Sequence, residues 1–162
     1  MESGPIRIIF VCLGNICRSP LAASVFRRQV ARAGLSDSFH VDSAGISDYH
    51  AGEPPDPRMK ETAARHGVAV TGRARQVRLA DVQDADYVIA MDRDNRADLR
   101  ALVDGAAATP VQLLRAYDPE AFSESDVPDP YYGGPAGFEQ VYEMVERSCS
   151  SLLHHIRKER SL

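Results

Sequence analysis

Residues 5–20, PIRIIFVCLGNICRSP, constrain this chain more than any other stretch. The branched apolar run over 5–13 reads as a strand buried on both faces, of the kind found at the centre of parallel sheets. It gives way at Gly14 to a short turn, and Ser19-Pro20 reads as an N-cap followed by proline at the first helical position. Leu21, Val25, Val30 and nearby alanines supply an apolar helix face up to Ala33, with Gly34 as the stop. A strand that hands over directly to a helix is the opening of an α/β arrangement.

The rest of the chain repeats that alternation. Residues 39–45 (FHVDSAG) read as a second strand, 46–57 as a loop, and 57–66 as a helix ended by Gly67. Residues 85–91 (ADYVIAM) read as a third strand, 93–103 as a polar-faced helix, and 111–117 (VQLLRAY) as a fourth strand. The stretch 118–136 holds Pro119, Pro128, Pro130, Pro135 and Gly133-Gly134, and its length points to function. Phe138, Val141, Tyr142, Val145, Cys149, Leu152 and Ile156 recur at helical spacing in a last amphipathic helix. The expectation is a single α/β domain over 1–162. It has a four-stranded parallel sheet with helices on both faces and a ligand site at the carboxyl ends of the strands.

A chain of 162 residues leaves little room for a second domain. Its net charge of −4 argues against a nucleic-acid partner. The N-terminus carries no basic stretch before its apolar run, and no segment approaches 18 consecutive apolar residues. A cytoplasmic protein without membrane association is expected, as a monomer or weak dimer. Three cysteines, an odd number, fit a reducing compartment better than a disulfide framework. Cys12 and Cys17 offer two zinc ligands at most, with Cys149 alone and His154 and His155 adjacent, so no metal or other cofactor is expected.

The turn itself suggests chemistry. Backbone N–H groups between a strand and a helix N-terminus converge on one point at the positive end of the helix dipole. Gly14 is expected to allow an unusual backbone conformation there. Arg18 adds a planar fork able to hold two oxygens of a tetrahedral anion. Leu13, Gly14, Asn15, Ile16, Cys17 and Arg18 thus form a candidate phosphate-binding loop between the first strand and the first helix. Cys12 lies beneath it, where the same field favours a nucleophilic thiolate. Ser19 is placed to donate its hydroxyl to that sulfur while capping the helix.

The spacing Cys12-x5-Arg18-Ser19 resembles the signature loop of cysteine-dependent tyrosine phosphatases. VCLGNICRSP so near the N-terminus resembles the low-molecular-weight protein tyrosine phosphatase family in particular. DSAG at 42–45, MDRDN at 91–95, DPYYGG at 129–134 and the chain length extend the likeness over the whole sequence. The resemblance implies metal-free hydrolysis of phosphotyrosine monoesters on protein substrates, through a phosphocysteine on Cys12. Arg18 would clamp the phosphate. Asp129 would serve as general acid and then general base, a choice also favoured by its long loop and the two tyrosines and two glycines that follow. Tyr131 and Tyr132, with Tyr49 opposite, would wall a flat aromatic ring.

Asn15 is expected to bond within the loop or to Ser43. Family members often place a histidine near Gly72 to complete that network, so here another group must fill in, and His66 reads either as that group or as a helix end. Asp92 reads equally as a helix cap and as a buried acceptor. Cys17 reads either as a redox partner protecting Cys12 or as a packed thiol. Three competing activities are open to such a loop. Thioredoxin-linked arsenate reductases need further cysteines, absent from 80–90 here. Protein arginine phosphatases typically carry threonine where this chain has Ile16. A catalytically idle phosphoprotein-binding module would not need Cys12, Arg18 and Asp129 together.

Overall fold

The computed structural model describes residues 4–122, 124–130 and 134–162. Strand β1 (Ile6–Cys12) lies between β2 (Phe39–Gly45) and β3 (Tyr87–Ala90), and β4 (Val111–Leu113) flanks β3. All pairings are parallel, in the order β2-β1-β3-β4. Alternation along β1 divides the core. Ile8, Phe10 and Cys12 face the helices α1 (Arg18–Arg32), α2 (Pro57–Arg65) and α5 (Gly134–Arg160). Ile9 and Val11 face the opposite way, into a smaller cluster with Val82 and Leu99 of α3 (Leu79–Asp84) and α4 (Arg93–Val103). Among the described residues no helix is long and apolar enough to cross a membrane.

The expected alternation of elements is present, with instructive differences at its edges. The fourth strand stops at Leu113, and Leu114–Tyr117 winds into a 3-10 turn packed on α5. That turn brings Asp118 under the last helix. The short helix α3 was not expected, because its six residues are too few to show a periodic apolar face. Helix α1 begins at Arg18, so Cys17 holds the N-cap position without a side-chain cap bond. Ser19 is therefore in the first turn and its hydroxyl is free for other work. Pro20 is tolerated there because the first-turn amides have no helical acceptor to lose. Helix α2 does have the expected kind of cap: Asp56 accepts from the Arg58 amide at 2.8 Å, and Pro57 follows it.

The loop after β4 is strapped to the helices by arginines. Arg115 and Arg147 each donate to the fully buried Asp118 carboxylate, at 2.9 and 2.8 Å. Arg93 bonds Asp126, and Arg96 bonds Glu124 at 3.0 Å. Burial alone would raise the Asp118 pKa, but the Arg147, Glu120 amide and Arg115 hydrogen bonds outweigh it and hold it below the usual carboxylate range. A depressed folded-state value stabilises the fold above the unfolded value of about 3.9 and loses that contribution as pH falls through the folded one. Asp118→Asn is expected to lower unfolding free energy at pH 7 by about 2–3 kcal/mol. In urea titrations the difference from the parent should shrink as the pH is lowered below about 4.

Candidate active site

The turn between β1 and α1 closes around a hollow because its carbonyls are tied to the outside. Ile46 donates its amide to the Cys12 carbonyl, Ser47 to that of Leu13, Asp56 to that of Ile16, and Leu21 to that of Cys17, at 2.8–3.2 Å. In a trans peptide the C=O and N–H point opposite ways. The amides of Leu13, Gly14, Cys17 and Arg18 are thereby turned from the exterior toward the enclosed space. The remaining turn is made by Asn15, whose φ of +58° is left-handed. Gly14 has no such angle, contrary to the sequence expectation. The left-handed residue is Asn15, a type that tolerates this region better than most. What Gly14 provides is room, since a Cβ there would meet the His50 ring at 3.0 Å. Gly45 of the DSAG segment is needed more strictly, because a Cβ on it would lie 2.9 Å from the Leu13 carbonyl oxygen.

Cys12 ends β1 beneath this ring. Its Sγ lies 3.0 Å from Ser19 Oγ and receives the Asn15 amide at 3.3 Å. The Asn15 carboxamide donates to Ser19 Oγ at 2.8 Å and to Ser43 Oγ at 3.0 Å. Its oxygen accepts the Arg75 amide at 3.0 Å. That backbone amide completes the hydrogen bonding of the Asn15 side chain. His66 does not join the network: it ends α2, stacks on Tyr142 and bonds Glu139 at 2.7 Å.

Arg18 is almost wholly buried at the helix start. Its Nη1 donates to Asp92 Oδ2 at 2.6 Å and to the Val127 carbonyl at 3.0 Å. Its Nη2 lies 3.7 Å from Asp129 Oδ2. Asp92 fulfils both roles read for it, since Oδ1 also caps α4 through the Asn95 amide at 2.7 Å. Burial would lower the Arg18 pKa, but Cys12, Asp92 and Asp129 outweigh that and raise it. Burial, reinforced by Asp56 and Cys12, pushes the Cys17 thiol well up, so that sulfur stays protonated. Of the two loop cysteines, Cys12 is the one whose sulfur accepts a backbone amide and lies within hydrogen-bond distance of a hydroxyl, among the described residues.

Cys12, Leu13, Gly14, Ile16, Cys17, Arg18, Ser47, Tyr49, His50 and Asp129 line one open cleft of about 430 Å³. Tyr49 is 82% exposed and stands edge-on to His50. Asp129 thus reaches the same cleft as Cys12 from across the sheet, 117 positions away in sequence. Tyr131 and Tyr132 lie outside the described residues. His50 was missed in the sequence reading. It sits at the cleft with Nδ1 2.9 Å from Glu53, and only its place beside Tyr49 hinted at it.

A thiol under inward-turned amides, closed by a buried guanidinium and faced by a carboxylate on a parallel α/β sheet, defines the phosphate-loop thiol class of site. Within that class the chain belongs to the low molecular weight phosphotyrosine protein phosphatase family, whose model matches residues 7–162. It is 45% identical over 155 residues to the low molecular weight protein-tyrosine-phosphatase of Streptomyces coelicolor, covering 94% of each chain. The crystal structure of YfkJ from Bacillus subtilis superposes with a TM-score of 0.90 at 41% identity, over 98% of this chain and 99% of that one. The Drosophila arginine phosphatase shares the fold at a TM-score of 0.87 and 31% identity, over 94% and 98%.

The Ser19 hydroxyl has one proton and two acceptors within reach, Cys12 Sγ at 3.0 Å and the Ala44 carbonyl at 3.3 Å. Turned to the sulfur, it places a hydrogen-bond donor on the atom that would be alkylated. Ser19→Ala is expected to slow alkylation of Cys12 by iodoacetate at pH 6 about tenfold, the effect of one charge-assisted hydrogen bond. An unchanged rate would show that the hydroxyl is committed to Ala44.

Proposed function

We propose that this chain hydrolyses phosphotyrosine monoesters on proteins, acting as one domain in the cytoplasm. The observation that carries the reading is the meeting of Cys12, Arg18 and Asp129 at one cleft. The Cys12 thiolate attacks phosphorus along the axis opposite the tyrosine oxygen. Asp129 gives its proton to that oxygen as the bond breaks, since a phenolate with a conjugate acid of pKa about 10 leaves poorly on its own. Water, deprotonated by Asp129, then attacks the phosphocysteine and releases phosphate and the thiolate. The Arg18 fork and the amides of the loop hold the three remaining oxygens through both steps. Apart from the attacking water, every group these steps use belongs to the chain.

Substrate choice follows from depth and lining. Leu13 and Tyr49 offer an exposed apolar rim, and Ile16 puts an alkyl side chain into the cleft. Such walls suit an aromatic ring that carries its phosphate to the bottom of a slot. A phosphoserine is too short to span it. Tyr131 and Tyr132 are proposed as further walls because they follow Asp129 directly. The second reading, phosphoarginine hydrolysis, is favoured by one finding, the close fold match to the Drosophila arginine phosphatase. Ile16 weighs against it, having no polar atom for a guanidinium.

The test is turnover on peptides carrying phosphotyrosine, phosphoserine or phosphoarginine. Phosphotyrosine is expected to be preferred, with vanadate inhibiting and chelators without effect. Cys12→Ser should abolish turnover. Asp129→Ala should lower kcat on phosphotyrosine by about 10²–10⁴, and by less on para-nitrophenyl phosphate, whose leaving group needs less protonation. Preference for phosphoarginine would overturn the reading.

A further inference from the structure

A second cavity, of about 360 Å³, lies behind the catalytic turn. Its lining includes Arg27, Arg73, Arg75, Ser43, Thr71 and Asn15. Its volume falls within the range of small-molecule sites, and it is large for inorganic phosphate alone. Three guanidinium groups line it against one carboxylate, Asp42, on a chain whose overall charge is −4. The arginines are not equivalent. Arg75 is neutralised by Asp42 at 2.8 Å and Asp81 at 3.0 Å. Arg27 and Arg73 have no carboxylate partner among the described residues.

Both of these unneutralised side chains are exposed, and each is tethered by one hydrogen bond. Arg27 Nη2 donates to the Val41 carbonyl at 2.7 Å, and Arg73 Nη1 donates to the Gly52 carbonyl at 3.0 Å. Each bond uses one N–H of a five-donor fork and leaves the others for a ligand. Ser43 Oγ already accepts from Asn15, so its own hydroxyl proton remains to be given. Gly72, with φ of +98°, carries the chain past the cavity, and a Cβ on it would meet nothing within 4 Å. Anchored guanidinium forks with adjacent hydroxyl donors match a tetrahedral dianion, and the spare volume fits an organic body attached to it.

We propose that this cavity is a second anion site, for the phosphate group of a small phosphorylated molecule, separate from the catalytic loop. Its occupant touches Ser43 and Asn15, the side chains that brace the Cys12 turn. Ligand at this site therefore bears on the catalytic loop from behind, and the coupling is reciprocal.

Backbone amide chemical shifts separate the two sites. The protein is first saturated with vanadate, which fills the catalytic loop and shifts residues 13–18. Inorganic phosphate, or the phosphonate analogue of adenosine monophosphate, is then titrated in. Further saturable shifts are expected at Ser43, Thr71, Arg73 and Arg75, with the nucleotide analogue binding more tightly than phosphate. In Arg27→Ser/Arg73→Ser the apparent affinity of these shifts should fall at least about tenfold, for the loss of two charge-assisted contacts. Vanadate inhibition and basal turnover should stay within about twofold, since neither arginine lines the catalytic cleft. Phosphate binding as tightly as the analogue would keep the site and assign it to the inorganic ion. No second set of shifts with either probe, or an identical set in the double variant, would overturn the proposal.

Discussion

Buried in the turn after β1, the Asn15 carboxamide ties the start of α1 to two segments remote in sequence, β2 and the backbone at Arg75. It donates to Ser19 on α1 and to Ser43 on β2, and accepts from the Arg75 backbone, while its own amide points at the Cys12 sulfur. A loop whose amides converge on one point is under its own electrostatic strain, because like dipoles face one another. Holding that shape requires bonds that pull from outside. The outward-tied carbonyls of Cys12, Leu13 and Ile16 supply part of the pull, and Asn15 supplies the rest. Its left-handed backbone makes the corner, and its side chain prevents the corner from relaxing. Satisfied networks of this sort are rigid because each buried polar group would be costly to leave unpaired.

The second constraint is charge. Arg18 is buried and touches Asp92, the Val127 carbonyl and the neighbourhood of Asp129. One guanidinium therefore ties the turn after β1 to the segment that carries Asp129. Val127 also donates its amide to the Met91 carbonyl, next to Asp92, so hydrogen bonds link the end of β3, the segment that carries Asp129 and the turn after β1. The ion pairs of Arg93, Arg96, Arg115 and Arg147 extend this bracing to the surface. In the proposed mechanism Asp129 must give and then take a proton at a fixed phosphorus, a role that benefits from such support more than from flexibility.

Much of this was legible in the chain itself. The buried run of β1, the alternation of strands and helices, and the Cys12-x5-Arg18 spacing are local patterns, and each corresponds to a single structural cause. The tyrosines and glycines around Asp129 singled it out, and it lines the same cleft as Cys12 and Arg18. What the sequence hid were pairings across distance. Nothing local shows that the Arg75 amide bonds the Asn15 side chain, or that a backbone carbonyl shares Arg18 with Asp92. Ser19 looked like a cap because serine before proline usually is one, yet Cys17 takes that position and the hydroxyl lies between the Cys12 sulfur and the Ala44 carbonyl. Gly14 looked like the special angle of the turn, and Asn15 has it instead. His50 had no motif to announce it.

The two loop cysteines show how the same element divides roles. Cys17 is held protonated by burial and neighbouring charge, whereas Cys12 has donors aimed at its sulfur. The account predicts covalent chemistry at one sulfur only. The most direct test is to mix Asp129→Ala with para-nitrophenyl phosphate, quench in acid within the first turnovers, and map the mass of one added phosphoryl group by peptide sequencing. The account predicts that group on Cys12. Finding it on another residue, or finding steady turnover with Cys12 unmodified throughout, would contradict it.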